Sequence, residues 1–160
     1  SCFGASEPPI VFPTPRHIEL RSEGLTLNET VPVLVPDRPS AGDQFLARFI
    51  IAELSDRYGL ALRTKTVTSL PERGPFILIG SVTNPLVEQY SRRLGQVTSE
   101  REGYVLDVDV NRAVVAGADE AGAFYGLQSL RQLIDQAKGG ASVHGALIKD
   151  WPLKPLRGIG

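Results

Sequence analysis

The sequence holds no methionine and a single cysteine, Cys2, among 160 residues. One cysteine excludes an internal disulfide and a zinc site built from thiolates. Histidine is nearly as scarce. His17 and His144 stand far apart without a nearby acidic run, and they leave few ligands for a catalytic metal. No metal and no cofactor are expected. No apolar run approaches the roughly 20 residues that a membrane helix needs, so no transmembrane segment is expected. No dense basic run occurs, and 17 Lys and Arg against 18 Asp and Glu give a net charge of −1. That balance gives no support to nucleic-acid binding by phosphate neutralisation. The patterns His-Glu-x-x-His and Gly-x-Ser-x-Gly are both missing, and with them two familiar hydrolase signatures.

The missing methionine sets an expectation about processing. A chain without its initiator is a processed form or a cloned piece of something larger. The last residues, Leu156 to Gly160, read as the opening of a new strand or turn. Cys2 after Ser1 suits the lipid-bearing cysteine of a bacterial lipoprotein behind a removed signal peptide. An unpaired cysteine near a flexible terminus accounts for it equally well. The expected location is exported, periplasmic or extracellular.

What is present describes one globular domain, with 42% hydrophobic and 22% charged residues. Residues 1–15 hold four of the 12 prolines and read as an extended leader. Ile18 and Leu20, then Leu25 and Leu27, then Val31, Val33 and Val35 alternate with other residues, as short strands joined by tight turns do. Pro32, inside the third, marks an edge strand or the strand's first half. Ser40 to Tyr58 predicts a helix with a stripe of Phe45, Leu46, Phe49, Ile50, Ile51 and Leu54. Ser40 is placed to cap it, Asp43 follows three residues on, and Gly59 is placed to stop it. Leu60 to Val67 reads as a strand. Phe76 to Gly80 reads as a central strand buried on both faces.

Asn84 to Leu94 predicts a shorter helix with Pro85 in its first turn. Gly103 to Val110 predicts a strand with Tyr104, Leu106 and Val108 on one face. Asp109 to Arg112 is its hairpin turn, and Val114 and Val115 lie on the partner strand. Asp119 is placed to cap a second long helix, Glu120 to Gln136, which stops at Lys138-Gly139-Gly140. Its stripe is Ala121, Phe124, Tyr125, Leu127, Leu130, Leu133 and Ile134. Val143 to Ile148 predicts a last strand. The fold class is therefore α+β: a mixed, largely antiparallel sheet with two long helices packed on one face. No internal repeat is visible.

The candidate sites are few. Gly117 and Gly122 have the first spacing of a P-loop, but Ala123 stands where lysine is required. Gly122 and Gly126 fit close helix packing better. Asp107 and Asp109 share a strand face, as a carboxylate pair or, more simply, as the solvated side of the sheet. Asn28-Glu29-Thr30 fits a glycosylation acceptor. Trp151, the one tryptophan, suits packing across a junction or stacking on a sugar.

Three stretches carry a resemblance. Glu102-Gly-Tyr-Val-Leu-Asp-Val108 is followed by Ala113 to Ile134, which contains Ala121-Gly-Ala-Phe-Tyr-Gly-Leu-Gln-Ser-Leu130. Then come Ile148-Lys-Asp-Trp-Pro152 and Arg157-Gly158. Together they resemble the non-catalytic N-terminal domain of β-N-acetylhexosaminidases of glycoside hydrolase family 20. A similar domain precedes the barrel in family 84 and in some α-glucuronidases. The likeness extends from Pro13 to Gly160 and is sharp from Glu102 onward.

The resemblance implies a mixed sheet with two helices on one face. It places Arg157-Gly158 on the first strand of a catalytic (β/α)₈ barrel. It assigns Arg157 to the hydroxyls of the terminal sugar, which a guanidinium fork can hold with two hydrogen bonds. Catalysis in these families is substrate-assisted, with the 2-acetamido oxygen attacking the anomeric carbon. The carboxylates that assist it lie further along the barrel, outside this chain, so no catalytic residue is expected here. Ile159-Gly160 follows neither the usual family 20 continuation nor the Glu-Gly-Phe-Tyr-Gly of family 84, which leaves the choice of family open.

The division implied is a leader at 1–15, an accessory domain at 16–150 and the start of a barrel at 151–160. The partners implied are the protein's own catalytic barrel and, through it, a glycan. The domain would brace the barrel, with Phe124 and Tyr125 in its core and Trp151 near the junction, and would be inactive alone. Two other classes compete: a free-standing carbohydrate- or cell-wall-binding module, and a protein-interaction domain.

Overall fold

A computed structural model gives the structure and describes residues 9–94 and 100–152. Its elements are β1 (His17–Leu20), β2 (Leu25–Leu27), β3 (Val33–Val35), α1 (Ala41–Tyr58), β4 (Thr64–Thr66), β5 (Phe76–Ser81), α2 (Pro85–Leu94), β6 (Tyr104–Asp109), β7 (Arg112–Gly117), α3 (Glu120–Gln132), β8 (Ile134–Ala137), β9 (Gly140–Val143) and β10 (Ala146–Asp150). Seven strands form a mixed sheet in the order β1-β10-β6-β7-β5-β3-β4. Its β1-to-β7 half is antiparallel and its β7-to-β4 half parallel. β2, β9 and β8 form a small antiparallel sheet. The class is α+β, as expected.

Local chemistry sets the ends of α1. Ser40 Oγ accepts from Asp43 N–H at 3.0 Å, and the Asp43 carboxylate accepts from Ser40 N–H at 3.1 Å, a closed capping box. At the other end Gly59 takes φ +67°, which a side chain would resist, and Leu60 N–H reaches back to Leu54 O at 3.1 Å. Leu46, Ile50 and Leu54 are buried on the sheet, whereas Phe45 stays half exposed. The expected stripe is thus one residue too wide on its outer side.

Four expectations are corrected. α3 ends at Gln132 rather than Gln136. The chain turns at Leu133, and Ile134–Ala137 pairs with Gly140–Val143 through a two-residue turn in which Gly139 takes φ +81°. Lys138-Gly139 is therefore a hairpin turn and not a helix stop. The strand expected over Val143–Ile148 is divided between β9 and β10 at His144-Gly145. Arg21 N–H bonds Gly145 O at 2.8 Å there, and a Cβ on Gly145 would overlap the Glu23 carbonyl. Of Leu60–Val67 only Thr64–Thr66 pairs as a strand. β3 lies inside the sheet, between β5 and β4, because Pro32 stands just before it and still accepts from Ile77 N–H at 2.9 Å.

α1 and α3 cover one face of the large sheet. The main core lies between them, with Val33, Ile79, Leu106, Val115 and Ile148 beneath Ile50, Leu54, Leu127 and Leu130. α2 covers the opposite face through Leu86, Val87 and Tyr90, against Leu34, Leu78 and Val114. Between the two cores both sides of β5 are buried, Ile77 and Ile79 in the first and Phe76 and Leu78 in the second.

Candidate functional site

The site is built from the packing of α3 on β6. A Cβ on Gly122 would overlap the carbonyl oxygen of Gly103, and one on Gly126 would press on Val115 and the Tyr104 ring. The glycine pair therefore lets the helix touch backbone, as the close-packing reading expects, and it cradles no phosphate. Asp119 caps α3 by accepting from Gly122 N–H at 2.8 Å. Its other oxygen accepts from Glu102 N–H at 2.9 Å, at a residue held at φ +60°. Beneath the helix Tyr104 is buried, and its hydroxyl meets Ser129 Oγ at 2.6 Å. Burial pushes the Tyr104 phenol up to about 12.

Beside this contact lies a cleft of about 280 Å³, lined by Phe12, Glu102, Tyr125, Gln128, Asp150 and Trp151 among others. Two chain segments meet in it. The Gln132 amide clasps the backbone of Phe12, accepting from its N–H at 2.6 Å and donating to its carbonyl at 3.1 Å. Arg16 ties the same segment to the last described residues. Its N–H bonds Asp150 Oδ1 at 3.1 Å, its Nε bonds Trp151 O at 3.0 Å, and its guanidinium lies 4.8 Å from the Trp151 ring centroid. Val11 is buried at 5% exposure, while Phe12 and Tyr125 are 78% and 46% exposed. The expectation that Tyr125 lies in the core is corrected, since it points from α3 into the cleft. Phe124 is half buried and packs with Phe45 and Phe49, ring centroids 6.4 and 5.9 Å away, beside an apolar groove between α1 and α3. Aromatic surface with a polar rim is suited to binding a partner.

The opposite face of the sheet holds what sequence reasoning missed. Asp107 was expected on a solvated face, yet it is 3% exposed, because α2 covers that face. One of its oxygens pairs with Arg21 Nη1 and the other accepts from the Tyr90 hydroxyl. Arg21 also donates to Val108 O at 2.9 Å. Burial first, and then the hydrogen bond and charge of Asp107, push the Tyr90 phenol far up. Burial works against the Arg21 charge, but the hydrogen bond and charge of Asp107 outweigh it and raise its pKa. Asp109 does separate work. It accepts from Asn111 and Arg112 N–H at 2.7 and 3.1 Å and fixes the β6–β7 turn. The two aspartates form no carboxylate site. The available signal was α2 itself, whose apolar residues need a sheet face to cover.

The remaining candidates fall apart in space. His17 lies opposite Lys149 in the β1–β10 ladder, whereas His144 lies beyond the other end of β10 and pairs with Asp135 at 2.5 Å. Asn28 closes an exposed turn by accepting from Thr30 N–H at 2.9 Å. Cys2 and Arg157 lie outside the described residues. Among the described residues no helix is long and apolar enough to cross a membrane.

Comparison with known proteins places this arrangement. The family model "Glycosyl hydrolase family 20, domain 2" matches residues 8–151. The family 20 exo-β-N-acetylglucosaminidase of Vibrio harveyi, solved with N-acetylglucosamine, is similar over 96% of this chain and 21% of that one, with TM-score 0.65 and 18% identity. The family 20 β-N-acetylhexosaminidase of Streptomyces coelicolor A3(2) is similar over 94% and 29%, with TM-score 0.62 and 22% identity. CpGH84B, a family 84 protein, is similar over 91% and 23%, with TM-score 0.67 and 23% identity. At such identities the likeness is one of fold, and the chain spans less than a third of each of these structures. The match to the family model covers nearly the whole chain, so the chain belongs to the domain 2 family of glycosyl hydrolase family 20.

Proposed function

We propose that this domain is the accessory, non-catalytic part of an exported glycoside hydrolase that removes terminal β-linked N-acetylhexosamine, and that it braces the catalytic barrel. The observation that carries the reading is the apolar surface beside the last described residues. Phe12, Tyr125, Trp151 and Pro152 line one cleft at the point where the described chain leaves the domain. The proposed division, with a leader at 1–15, an accessory domain at 16–150 and the first barrel strand at 151–160, moves at its first boundary, because Val11 is buried in the domain and Gln132 bonds Phe12, so that residues 9–15 count with the domain. Arg157, by its motif, would hold sugar hydroxyls at the end of that strand. The catalytic carboxylates would belong to the barrel. Export, with Cys2 as a lipid attachment point, completes the proposal, and mass spectrometry of the N-terminal peptide from native membranes tests it.

The direct test is hydrolysis of an aryl β-N-acetylglucosaminide. The 160-residue chain is expected to show no turnover above buffer, and the longer gene product is expected to turn over. Arg157→Ala in that product is expected to raise KM. Turnover by the 160-residue chain would overturn the accessory role. A second reading, a carbohydrate-binding module, draws on the aromatic lining of the cleft, although Arg16 already covers one face of Trp151. Because Trp151 is the sole tryptophan, its emission reports directly on the cleft. A saturable shift with chitin oligosaccharides, lost in Tyr125→Ala, would favour the module.

A further inference from the structure

We infer that residues 9–12 are a built part of the surface that the catalytic barrel covers, clasped by Gln132 and facing the barrel through Ile10 and Phe12. The inference rests on the bracing function proposed above and deepens it. The observation is a short segment whose apolar side chains are divided between the domain and solvent. Val11 is 5% exposed and points into the domain, while Ile10 and Phe12 are 81% and 78% exposed. A segment that buries one apolar side chain in its own domain and presents two others outward fits between two bodies.

The strip is not held by its apolar contacts alone. Gln132 bonds both the N–H and the carbonyl of Phe12, so it fixes the backbone and leaves the Phe12 ring free to face outward. Ordering an exposed aromatic before binding lowers the cost of covering it. The strip also borders the cleft into which Trp151 and Pro152 run, and Arg16 joins the two segments. A body that follows Pro152 in the chain would start beside Phe12, tethered by a short linker at high effective concentration. A second copy of the chain would have no such advantage. The share of the family's structures that the chain spans, 21–29%, leaves room for a body of barrel size.

The double variant Ile10→Ser/Phe12→Ser, made in the 160-residue chain and in the longer gene product, tests this. In the 160-residue chain the melting midpoint is expected to stay within about 1 °C, because both side chains are already solvated. In the longer product the midpoint is expected to fall by several degrees. Amide exchange at residues 9–16 is expected to be slow in the longer product and fast in its variant. Equal destabilisation of both proteins would overturn the inference, since the strip would then serve only its own domain. No change in either, with fast exchange in the longer product, would overturn it as well, since nothing would cover the strip. Concentration-dependent dimerisation of the 160-residue chain, abolished by the double variant, would name a second copy as the occupant and overturn it too. A longer product without a barrel would instead remove the bracing function itself, a separately readable failure.

Discussion

Asp107 shows how one side chain is committed by its neighbours. It sits on a sheet face that α2 buries, and only Arg21 and Tyr90 make that position tenable. Removing the carboxylate alone leaves the buried Tyr90 hydroxyl without its acceptor, while the partly solvated Arg21 keeps the Val108 carbonyl. Asp107→Ala is therefore expected to cost about 1–3 kcal/mol in urea denaturation. The triple variant Asp107→Leu/Arg21→Met/Tyr90→Phe is expected to recover most of that loss, because no charge is then left buried. Equal losses in both would mean that the network matters beyond charge pairing. The tyrosines give a pH dependence. Tyr90 and Tyr104 both have folded pKa values above the ordinary tyrosine value near 10, so the folded state keeps protons that the unfolded state releases. Stability is then full below about pH 10 and falls as pH rises toward 12 for Tyr104, and further for Tyr90. The slope is about 1.4 kcal/mol per pH unit for each proton retained. Urea midpoints at pH 9, 10 and 11, alongside ultraviolet titration of the phenols, check this. Flat stability through pH 11 would contradict it.

At the scale of elements, the glycines of α3 make opposite predictions from ordinary helix propensity. Alanine normally gains up to about 1 kcal/mol over glycine inside a helix. At Gly122 the new methyl would strike the backbone of Gly103, which cannot step aside. Gly122→Ala is expected to cost about 1–3 kcal/mol by overpacking. Gly42→Ala in α1 is the control, since its methyl meets only the flexible end of Glu120, and it is expected to be neutral or stabilising. Chemical denaturation of the two variants separates packing from propensity. The same elements show what the sequence made legible. The capping box at Ser40, the stop at Gly59 and the two-residue turn at Val110-Asn111 are local, and each was readable. The end of α3 was not, because Leu133 and Ile134 continue the helical stripe. Only pairing with β9, and the Tyr58 hydroxyl donating to Ile134 O at 3.1 Å, draw Ile134 into a strand. The burial of Asp107 was equally non-local, since it depends on where α2 crosses the sheet. The clasp of Gln132 on Phe12 joins residues 120 positions apart and leaves no local sequence signal.

At the scale of the whole molecule, both ends of the described chain converge on one cleft, with exposed aromatics beside them. The motifs at Glu102–Val108, Ala121–Leu130 and Ile148–Pro152 were enough to suggest the family, and the family model bears them out over residues 8–151. They did not reveal that the N-terminal segment packs on the domain, because its partners, Gln132, Asp150 and Trp151, lie more than 100 positions away in the sequence. If the domain braces a barrel, its removal should expose the barrel face that Phe12 and Tyr125 cover. The most direct measurement is the thermal midpoint of the catalytic barrel, expressed with and without residues 1–150. The isolated barrel is expected to melt several degrees lower, or to aggregate, and to regain stability when the 160-residue chain is supplied separately. A barrel that melts at the same temperature and hydrolyses substrate equally well without the domain would contradict the bracing role.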